Sequence, residues 1–236
     1  MSPGVRDEMK LAFAPPATSV LPIAGSDIHF PVHRIYCVGR NFADHAIEMG
    51  HDPTKEPPFF FQKNSDSLVR PERGFPYPGQ SEDVHYEVEL VIALHKGGSD
   101  IPVNRALECV FGYAVGLDMT RRDLQDVGKK MGRPWEVAKA FEDSAPCGRI
   151  QLAERIGHPS AGDIWLSVNG ERRQSGDLNQ MIWKVPEMIS YLSKLFTLRP
   201  GDLIFAGTPA GVGPIKVGDD MVARIAGVDE ISVKVL

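Results

Sequence analysis

Two apolar, strand-like segments of this chain carry acidic side chains where a folded protein needs a compensating positive charge. Glu87 and Glu89 lie in HYEVELVIAL, residues 85–94, and Asp118 ends FGYAVGLD, residues 111–118. An unpaired carboxylate buried in such a strand costs several kcal/mol, and a divalent cation removes that cost. A fold that buries these segments therefore has to bring positive charge to the three carboxylates.

Strand geometry places Glu87 and Glu89 on one face, because successive side chains alternate. Since a strand rises roughly 3.3 Å per residue, the two side chains start about 7 Å apart and can converge on one ion. Asp118 would join them from a neighbouring strand. Oxygen ligands favour Mg²⁺, Mn²⁺ or Ca²⁺ over zinc. The sequence predicts a divalent-metal site with one negative charge left over; the alternative is a solvated strand face.

Length and charge limit the classes of partner. The 236 residues suit one large domain, or one domain with a small appendage. A net charge of −5 with scattered basic residues predicts neither a nucleic-acid nor a membrane partner. The N-terminus has no signal-peptide pattern, and no apolar run has the length of a membrane span. The cysteines are few, odd in number and far apart, so they are predicted to pack in or near the core; they are Cys37, Cys109 and Cys147. This usage predicts a reducing compartment, by default the cytoplasm.

The remaining pattern contains many short strands and few helices, which favours a β-rich α+β fold. Residues 1–33 contain five prolines and are predicted to be an extended N-terminal arm, followed by a domain over 34–236. The predicted strands are 34–38, 59–63, 85–94, 164–168, 171–174 and 203–206, and the predicted helices are 41–50, 120–131 and 186–196. Residues 59–63 are expected to be buried, and Asn169–Gly170 predicts a hairpin.

The predicted helix 120–131 has sequence signals for its start, its end and its buried side. Thr120 and Asp123 resemble a capping box, and Gly132 is expected to end the helix. Its buried apolar side would consist of Leu124, Val127 and Met131. The pattern therefore predicts an amphipathic helix with an apolar inner face.

Several polar residues outside the acidic cluster are candidates for chemistry. His45 and Glu48 share a helical face, so the carboxylate can orient the imidazole as a general base for water; an exposed surface pair is the alternative. Arg40, at a strand end, can bind an anionic substrate. Lys139 lies among apolar residues and needs an anion, which can be the acidic cluster, a substrate carboxylate or both. An ordinary structural salt bridge is the alternative.

The glycine-rich segment GTPAGVG, residues 207–213, does not predict nucleotide binding. It lacks the Gly-Lys-Ser/Thr ending of a P-loop. A tight loop that offers the Thr208 hydroxyl and backbone N–H groups to a carboxylate is favoured over a plain β-turn.

Five motifs in this order resemble the fumarylacetoacetate hydrolase family, in its small single-domain branch of acylpyruvate and fumarylpyruvate hydrolases. They are CVGRNFADH at 37–45, HYEVEL at 85–90, LDMTRRDLQ at 117–125, AKAF at 138–141 and GTPAGVG at 207–213. The resemblance covers roughly residues 35–235 and implies a mixed β-sandwich roll that forms a homodimer. Asn64 departs from the family pattern, because many relatives carry proline there beside the pocket.

The resemblance also implies roles for individual residues. Glu87, Glu89 and Asp118 would hold one Mg²⁺ or Mn²⁺. The dyad of His45 and Glu48 would activate water, and Lys139 would position that water or stabilise the oxyanion. The substrate-binding residues would be Arg40, Lys63, Arg122, Gln125 and Thr208. The implied reaction is hydrolysis of a carbon–carbon bond in a 2,4-dioxo acid, either fumarylpyruvate from gentisate-type aromatic catabolism or another acylpyruvate.

Several alternatives and one hypothesis accompany this interpretation. Oxaloacetate decarboxylation needs the metal but no attacking water. Maleyl-to-fumaryl isomerisation is disfavoured, because no cysteine is expected near the site. A binding module with a purely structural cation is a third, non-catalytic class. A fumaryl arm would need a further cation, with Arg40, Lys63, Arg121 and Arg122 as candidates. Residues 41–58 are hypothesised to close over the substrate.

Overall fold

Short strands dominate the protein, as the sequence predicts. The computed structural model describes residues 11–44 and 57–236. Strands β1 to β17 in these ranges are, in chain order, Val20–Pro22, His29–Pro31, Ile35–Gly39, Phe59–Lys63, Leu68–Val69, Val84–Tyr86, Val88–Leu94, Val110–Leu117, Thr120–Arg121, Ala145–Pro146, Gln151–Leu152, Asp163–Val168, Glu171–Asp177, Leu203–Phe205, Gly213–Pro214, Asp220–Ile225 and Asp229–Lys234. Helices α1 to α4 are Arg122–Met131, Glu136–Lys139, Ala153–Ile156 and Val185–Leu195. Short 3₁₀ helices cover Ser65–Ser67, Pro71–Arg73, Val103–Cys109 and Leu178–Gln180.

A six-stranded mixed sheet lies at the centre, with strand order β11-β8-β7-β14-β3-β4. Strand β14 pairs parallel with β3 and antiparallel with β7. Strand β7 is buried on both faces: Leu90 and Ile92 contribute to the larger core, and Val91 to the smaller one on the opposite face. The larger core also holds Leu166 of the antiparallel sheet β13-β12-β16-β17. The predicted β-rich sandwich is confirmed.

Several local predictions are confirmed and one is wrong. Asn169 and Gly170 have φ of 51° and 80° and join β12 to β13, as two-residue hairpins require. Helix α4 has a proline in its first turn. Strand β4 is present, but its predicted burial is wrong. Phe59 to Phe61 are partly exposed, and within this strand only Lys63 is fully buried.

Helix α1 starts two residues later than predicted, and its inner face is polar. Thr120 belongs to β9 and its hydroxyl donates to Glu87 at 3.2 Å, so it caps nothing. The buried residues of the helix are Arg122, Gln125 and Gly128. Val127 and Met131 are 49% and 54% exposed. The predicted capping box and apolar inner face are wrong, because this side of the helix faces the acidic cluster. The predicted stop at Gly132, in the left-handed conformation, is confirmed.

The N-terminal segment packs on the domain. Strands β1 and β2 form a hairpin that places Leu21 and Phe30 in the smaller core. The division of the chain after residue 33 stays a prediction. The predicted helix 41–50 and the hypothesised closing segment 41–58 lie mainly outside the described residues. Nowhere in the described ranges is a helix long and apolar enough to cross a membrane.

Candidate active site

The acidic cluster forms where one strand stops and another starts. Strand β6 ends at Tyr86 and β7 begins at Val88, so Glu87 lies in an interruption of the single strand predicted over 85–94. Asp118 directly follows β8, and its N–H donates to the Glu87 carbonyl at 2.8 Å. One oxygen from each of Glu87, Glu89 and Asp118 lies within 4.8 Å of the others, and all three residues are buried. Asp118 therefore joins the cluster as predicted.

This spacing fits a divalent cation. Oxygen ligands bind Mg²⁺ and Ca²⁺ at about 2.0–2.6 Å, so two of them on one ion are at most about 4–5 Å apart. The donor set consists of three carboxylates, which hard cations prefer. These residues can therefore hold Mg²⁺ or Mn²⁺.

Three buried basic side chains surround the carboxylates. Lys139 Nζ lies 2.8 Å from Glu87 Oε2 and 2.7 Å from Asp118 Oδ2. Arg122 Nη2 lies 2.6 Å from Glu87 Oε1, and Lys63 Nζ lies 2.8 Å from Asp118 Oδ1. Three acids and three bases sum to zero, so a divalent cation would bring the site to +2. The predicted residual negative charge is therefore wrong, and the loaded site would attract dianions.

Lys139 stays charged although it is fully enclosed. Burial alone would lower the pKa of Lys139, but the charges of Asp118 and Glu87 outweigh burial and raise it. The ammonium group therefore remains a charged hydrogen-bond donor beside the carboxylates across the neutral pH range. Its partners in the structure are Glu87 and Asp118, so the acidic cluster supplies an anion to Lys139 as predicted.

Glu89 has a different environment from the other two carboxylates. Among the described residues, no basic side chain pairs with it, and its Oε2 accepts a hydrogen bond from the Gly207 N–H at 2.8 Å. Burial, followed by the charges of Asp118 and Glu87, raises the pKa of Glu89 well above its usual value. Gly207 has φ of 90°, and a Cβ there would lie 2.7 Å from the Asn41 side chain. The glycine loop thus directs a backbone donor at the protein's own carboxylate.

A cavity adjoins the cluster. The predicted residues on its wall are Arg40, Arg122, Gln125, Lys139 and Thr208. The wall also contains four residues that were not predicted to contact substrate: Phe59, Phe61, Lys129 and Trp135. The apolar and cationic character of this wall suits an extended organic anion.

Lys63 does not line the cavity, which corrects its predicted contact with substrate. Its side chain is completely buried behind Asp118. Its ammonium group donates to the Met119 carbonyl at 3.1 Å, to Ser144 Oγ at 3.0 Å and to the Lys139 carbonyl. Lys63 therefore holds Asp118 and the Lys139 segment in place.

Cys37 lies closer to the site than expected. It is buried and close enough for the charge of Asp118 to act on it. Burial, and then Asp118, raises the pKa of the Cys37 thiol well above its usual value. The expectation that no cysteine lies near the site is wrong, but the raised pKa keeps Cys37 a thiol and provides no nucleophile for isomerisation.

Gln174, which was not predicted from the sequence, links the second sheet to the site. Its Oε1 accepts from the Val88 N–H at 2.9 Å, directly after Glu87, and its Nε2 donates to Thr208 Oγ1 and the Pro209 carbonyl, both at 2.8 Å. It is fully buried within an otherwise polar strand. Its strand has no alternating pattern, so no local signal distinguished it from its exposed neighbours.

We expect Gln174→Met to lower metal affinity and turnover by about 10- to 100-fold, the usual effect of losing a residue that orients metal ligands. The variant leaves the Val88 N–H unsatisfied while roughly conserving side-chain volume. Titration of Mn²⁺ into the chelator-treated protein measures the affinity. The exposed neighbour Arg172→Met serves as the control. Equal affinities in both variants would refute this role.

The predicted dyad cannot be placed, because His45 and Glu48 lie outside the described residues. Arg40 and Asn41, just before them, are described. The Asn41 amide donates to the Ala206 carbonyl at 2.7 Å, and its oxygen accepts from the Trp183 N–H at 2.7 Å. These hydrogen bonds anchor Asn41 beside the glycine loop.

Most of the chain matches one family of known proteins. Residues 34–236 match the family model described as fumarylacetoacetate (FAA) hydrolase C-terminal. The chain is 46% identical to the mitochondrial oxaloacetate tautomerase FAHD1 of Mus musculus over 203 residues, 85% of this chain and 90% of that protein. It is 41% identical to the mitochondrial oxaloacetate decarboxylase of Dictyostelium discoideum, over 83% of this chain and 90% of that protein.

A solved structure is also similar. The crystal structure of fumarylpyruvate hydrolase from Pseudomonas aeruginosa, in complex with Mn²⁺ and pyruvate, matches with a TM-score of 0.94 and 54% identity. The match covers 96% of this chain and 99% of that chain. The similar proteins thus include a hydrolase, a tautomerase and a decarboxylase.

Proposed function

Because the chain belongs to the fumarylacetoacetate hydrolase family, we propose that it hydrolyses a carbon–carbon bond in a 2,4-dioxo acid, with fumarylpyruvate as substrate and fumarate and pyruvate as products. The observation that carries the proposal is the buried cluster of Glu87, Glu89 and Asp118, with Lys139 between two of its members. The similarity to fumarylpyruvate hydrolase at 54% identity supports this substrate.

Glu87, Glu89 and Asp118 would hold one Mg²⁺ or Mn²⁺. When bound, the cation supplies Lewis-acid polarisation of the 2-oxo acid and stabilises negative charge that develops there. The buried positions of the carboxylates keep their geometry preorganised, which limits reorganisation during the reaction.

The chain's own residues supply the remaining steps. His45, oriented by Glu48, takes a proton from water, whose oxygen attacks the distal carbonyl of the substrate. Lys139 donates a hydrogen bond to the oxyanion of the tetrahedral adduct, because Glu87 and Asp118 hold its charged Nζ beside the cavity. The adduct then collapses, the carbon–carbon bond breaks, and the leaving pyruvate enolate takes up the proton that His45 removed from water.

The first test follows the enol absorbance of fumarylpyruvate and acetylpyruvate, using chelator-treated protein with and without Mg²⁺ or Mn²⁺. The proposal requires metal-dependent loss of absorbance. Absence of turnover of both substrates, with pyruvate formed from oxaloacetate instead, would reject it. An increase in melting temperature with metal, but no turnover of any of the three acids, would indicate the non-catalytic module.

Oxaloacetate chemistry is the second candidate, and the identities of 46% and 41% to a tautomerase and a decarboxylase favour it. We expect His45→Ala to lower hydrolysis by about 10²- to 10⁴-fold, the usual contribution of a general base. Decarboxylation should change little, because it needs no attacking water. Both activities are measured on the same preparation, and a parallel loss of both would refute the assigned role of His45.

Two further parts of the proposal concern assembly and location. The family resemblance supports a homodimer. The cytoplasm is supported by the absence of disulfides among the described cysteines, because Cys37, Cys109 and Cys147 are all free and buried.

A further inference from the structure

We propose that Lys129 binds the distal carboxylate of a seven-carbon dicarboxylic substrate and thereby sets the preference for a fumaryl over an acetyl arm. The inference rests on the proposed function, since it assigns the second carboxylate of fumarylpyruvate to a residue of the same cavity. It identifies a specificity-determining cation that the sequence motifs do not indicate.

Most basic residues near the site already have other partners. Lys63 is enclosed behind Asp118, and Lys139 lies between Glu87 and Asp118. Arg122 donates to Glu87 and Gln125 at 2.6 Å each. Arg121 donates to a backbone carbonyl, and its guanidinium lies 4.2 Å from the Phe141 ring centre, off the cavity wall. Within the described ranges, Arg40 and Lys129 are the other basic residues on that wall.

The surroundings of Lys129 leave it able to accept an anion. Its Nζ lies 3.5 Å from Asp126 Oδ1, at the outer range of an ion pair, and 5.8 Å from the centre of the Trp135 ring on the same cavity wall. The Asp126 side chain is 62% exposed. Such surface pairs contribute little stability, so a substrate carboxylate can compete with Asp126. Burial, and then the charge of Arg122, lowers the pKa of Lys129. An incoming carboxylate would offset both effects.

Lys129 also lies at a suitable distance along the cavity. Arg122, Gln125 and Lys129 are at positions i, i+3 and i+7 of α1, so they form one stripe on the helix. Arg122 contacts Glu87 at one end, and Lys129 is about 10 Å further along the axis at ~1.5 Å per residue. The two terminal carbons of fumarylpyruvate are six bonds apart, about 7 Å in an extended chain. One carboxyl end can therefore lie at the acidic cluster while the other reaches Lys129.

Acetylpyruvate provides the matched comparison, because its arm ends in a methyl group. Lys130 provides the matched control residue, because it is the next residue of α1, is exposed and does not line the cavity. The experiment measures kcat and KM for both substrates with the wild type, Lys129→Met, Lys129→Arg and Lys130→Met. Binding of fumarate to each Mn²⁺-loaded protein is measured by calorimetry.

We expect Lys129→Met to lower kcat/KM for fumarylpyruvate by about 10- to 100-fold, the usual effect of losing a hydrogen bond to a charged group. The loss should appear mainly in KM, and acetylpyruvate should change by less than about 2-fold. Lys129→Arg should retain most of the preference, because it keeps the charge. Fumarate binding should weaken in Lys129→Met and remain unchanged in Lys130→Met.

Equal losses on both substrates, or an unchanged preference in Lys129→Met, would overturn the proposal. Loss of the preference in Arg40→Leu alone would assign the distal carboxylate to Arg40 instead. A wild type that turns over neither substrate would count against the proposed function, and calorimetry would then decide this inference by itself. Fumarate binding equal in Lys129→Met and Lys130→Met would reject the lysine site in that case.

Discussion

Glu89→Gln should abolish turnover and, at the same time, make the metal-free protein more stable. Without metal, Glu89 is a buried carboxylate whose described polar contact is one backbone N–H. Replacing it by a neutral isostere removes a charge that the protein interior disfavours. We expect a gain of about 1–3 kcal/mol in the free energy of unfolding of the chelator-treated protein. Turnover should fall by about 10³-fold or more, because a metal ligand is lost.

The difference in stability between Glu89→Gln and wild type should depend on pH. Burial, and then Asp118 and Glu87, raises the pKa of Glu89 above its usual value of 4.5. The folded state therefore holds this proton more tightly than the unfolded state. Its stabilising effect is fully present below the unfolded pKa and is lost as the pH rises through the folded pKa. The advantage of Glu89→Gln over wild type should thus be small near pH 4.5 and grow with rising pH.

Denaturant unfolding of the chelator-treated proteins across this pH range measures the effect, with the exposed Glu82→Gln as control. Mn²⁺ should raise the melting temperature of the wild type by mass action, but that of Glu89→Gln far less. A less stable Glu89→Gln at high pH, or an undiminished Mn²⁺ effect, would show that Glu89 is not an uncompensated metal ligand.

Lys139→Met should remove most activity and, unlike Glu89→Gln, destabilise the metal-free protein. Glu87 and Asp118 would remain buried without the ammonium that lies 2.8 and 2.7 Å from them. Breaking such a pair by removing one partner costs about 3–5 kcal/mol. Turnover should fall by about 10²- to 10³-fold, the usual effect of losing an oxyanion donor.

Adding metal should change the stability and the rate of Lys139→Met differently. Mn²⁺ should restore much of the stability, because a cation again faces Glu87 and Asp118, but it should not restore the rate. Unfolding curves and rates with and without Mn²⁺, beside the exposed Lys130→Met, provide the measurement. A variant with normal stability, or with a rate that Mn²⁺ fully restores, would exclude both roles of Lys139.

The sequence by itself determined the local structure and the acidic cluster. Short apolar strands, the Asn169–Gly170 turn and the Gly132 helix stop depend on neighbours in the chain, so local patterns predict them. Glu87, Glu89 and Asp118 were found for a related reason. A carboxylate within an apolar strand conflicts with burial, and this conflict is visible from composition over a few residues.

Tertiary structure alone decided the electrostatics and the wall of the cavity. Gln174 and Lys63 each contact residues more than fifty positions away, and nothing in their own segments indicates those contacts. The polar inner face of α1 contradicts the local pattern, because Arg122 pairs with Glu87 of the acidic cluster and Gln125 accepts a hydrogen bond from Arg122. Charge balance depends on all six charged groups together, and only the folded chain brings them within contact distance.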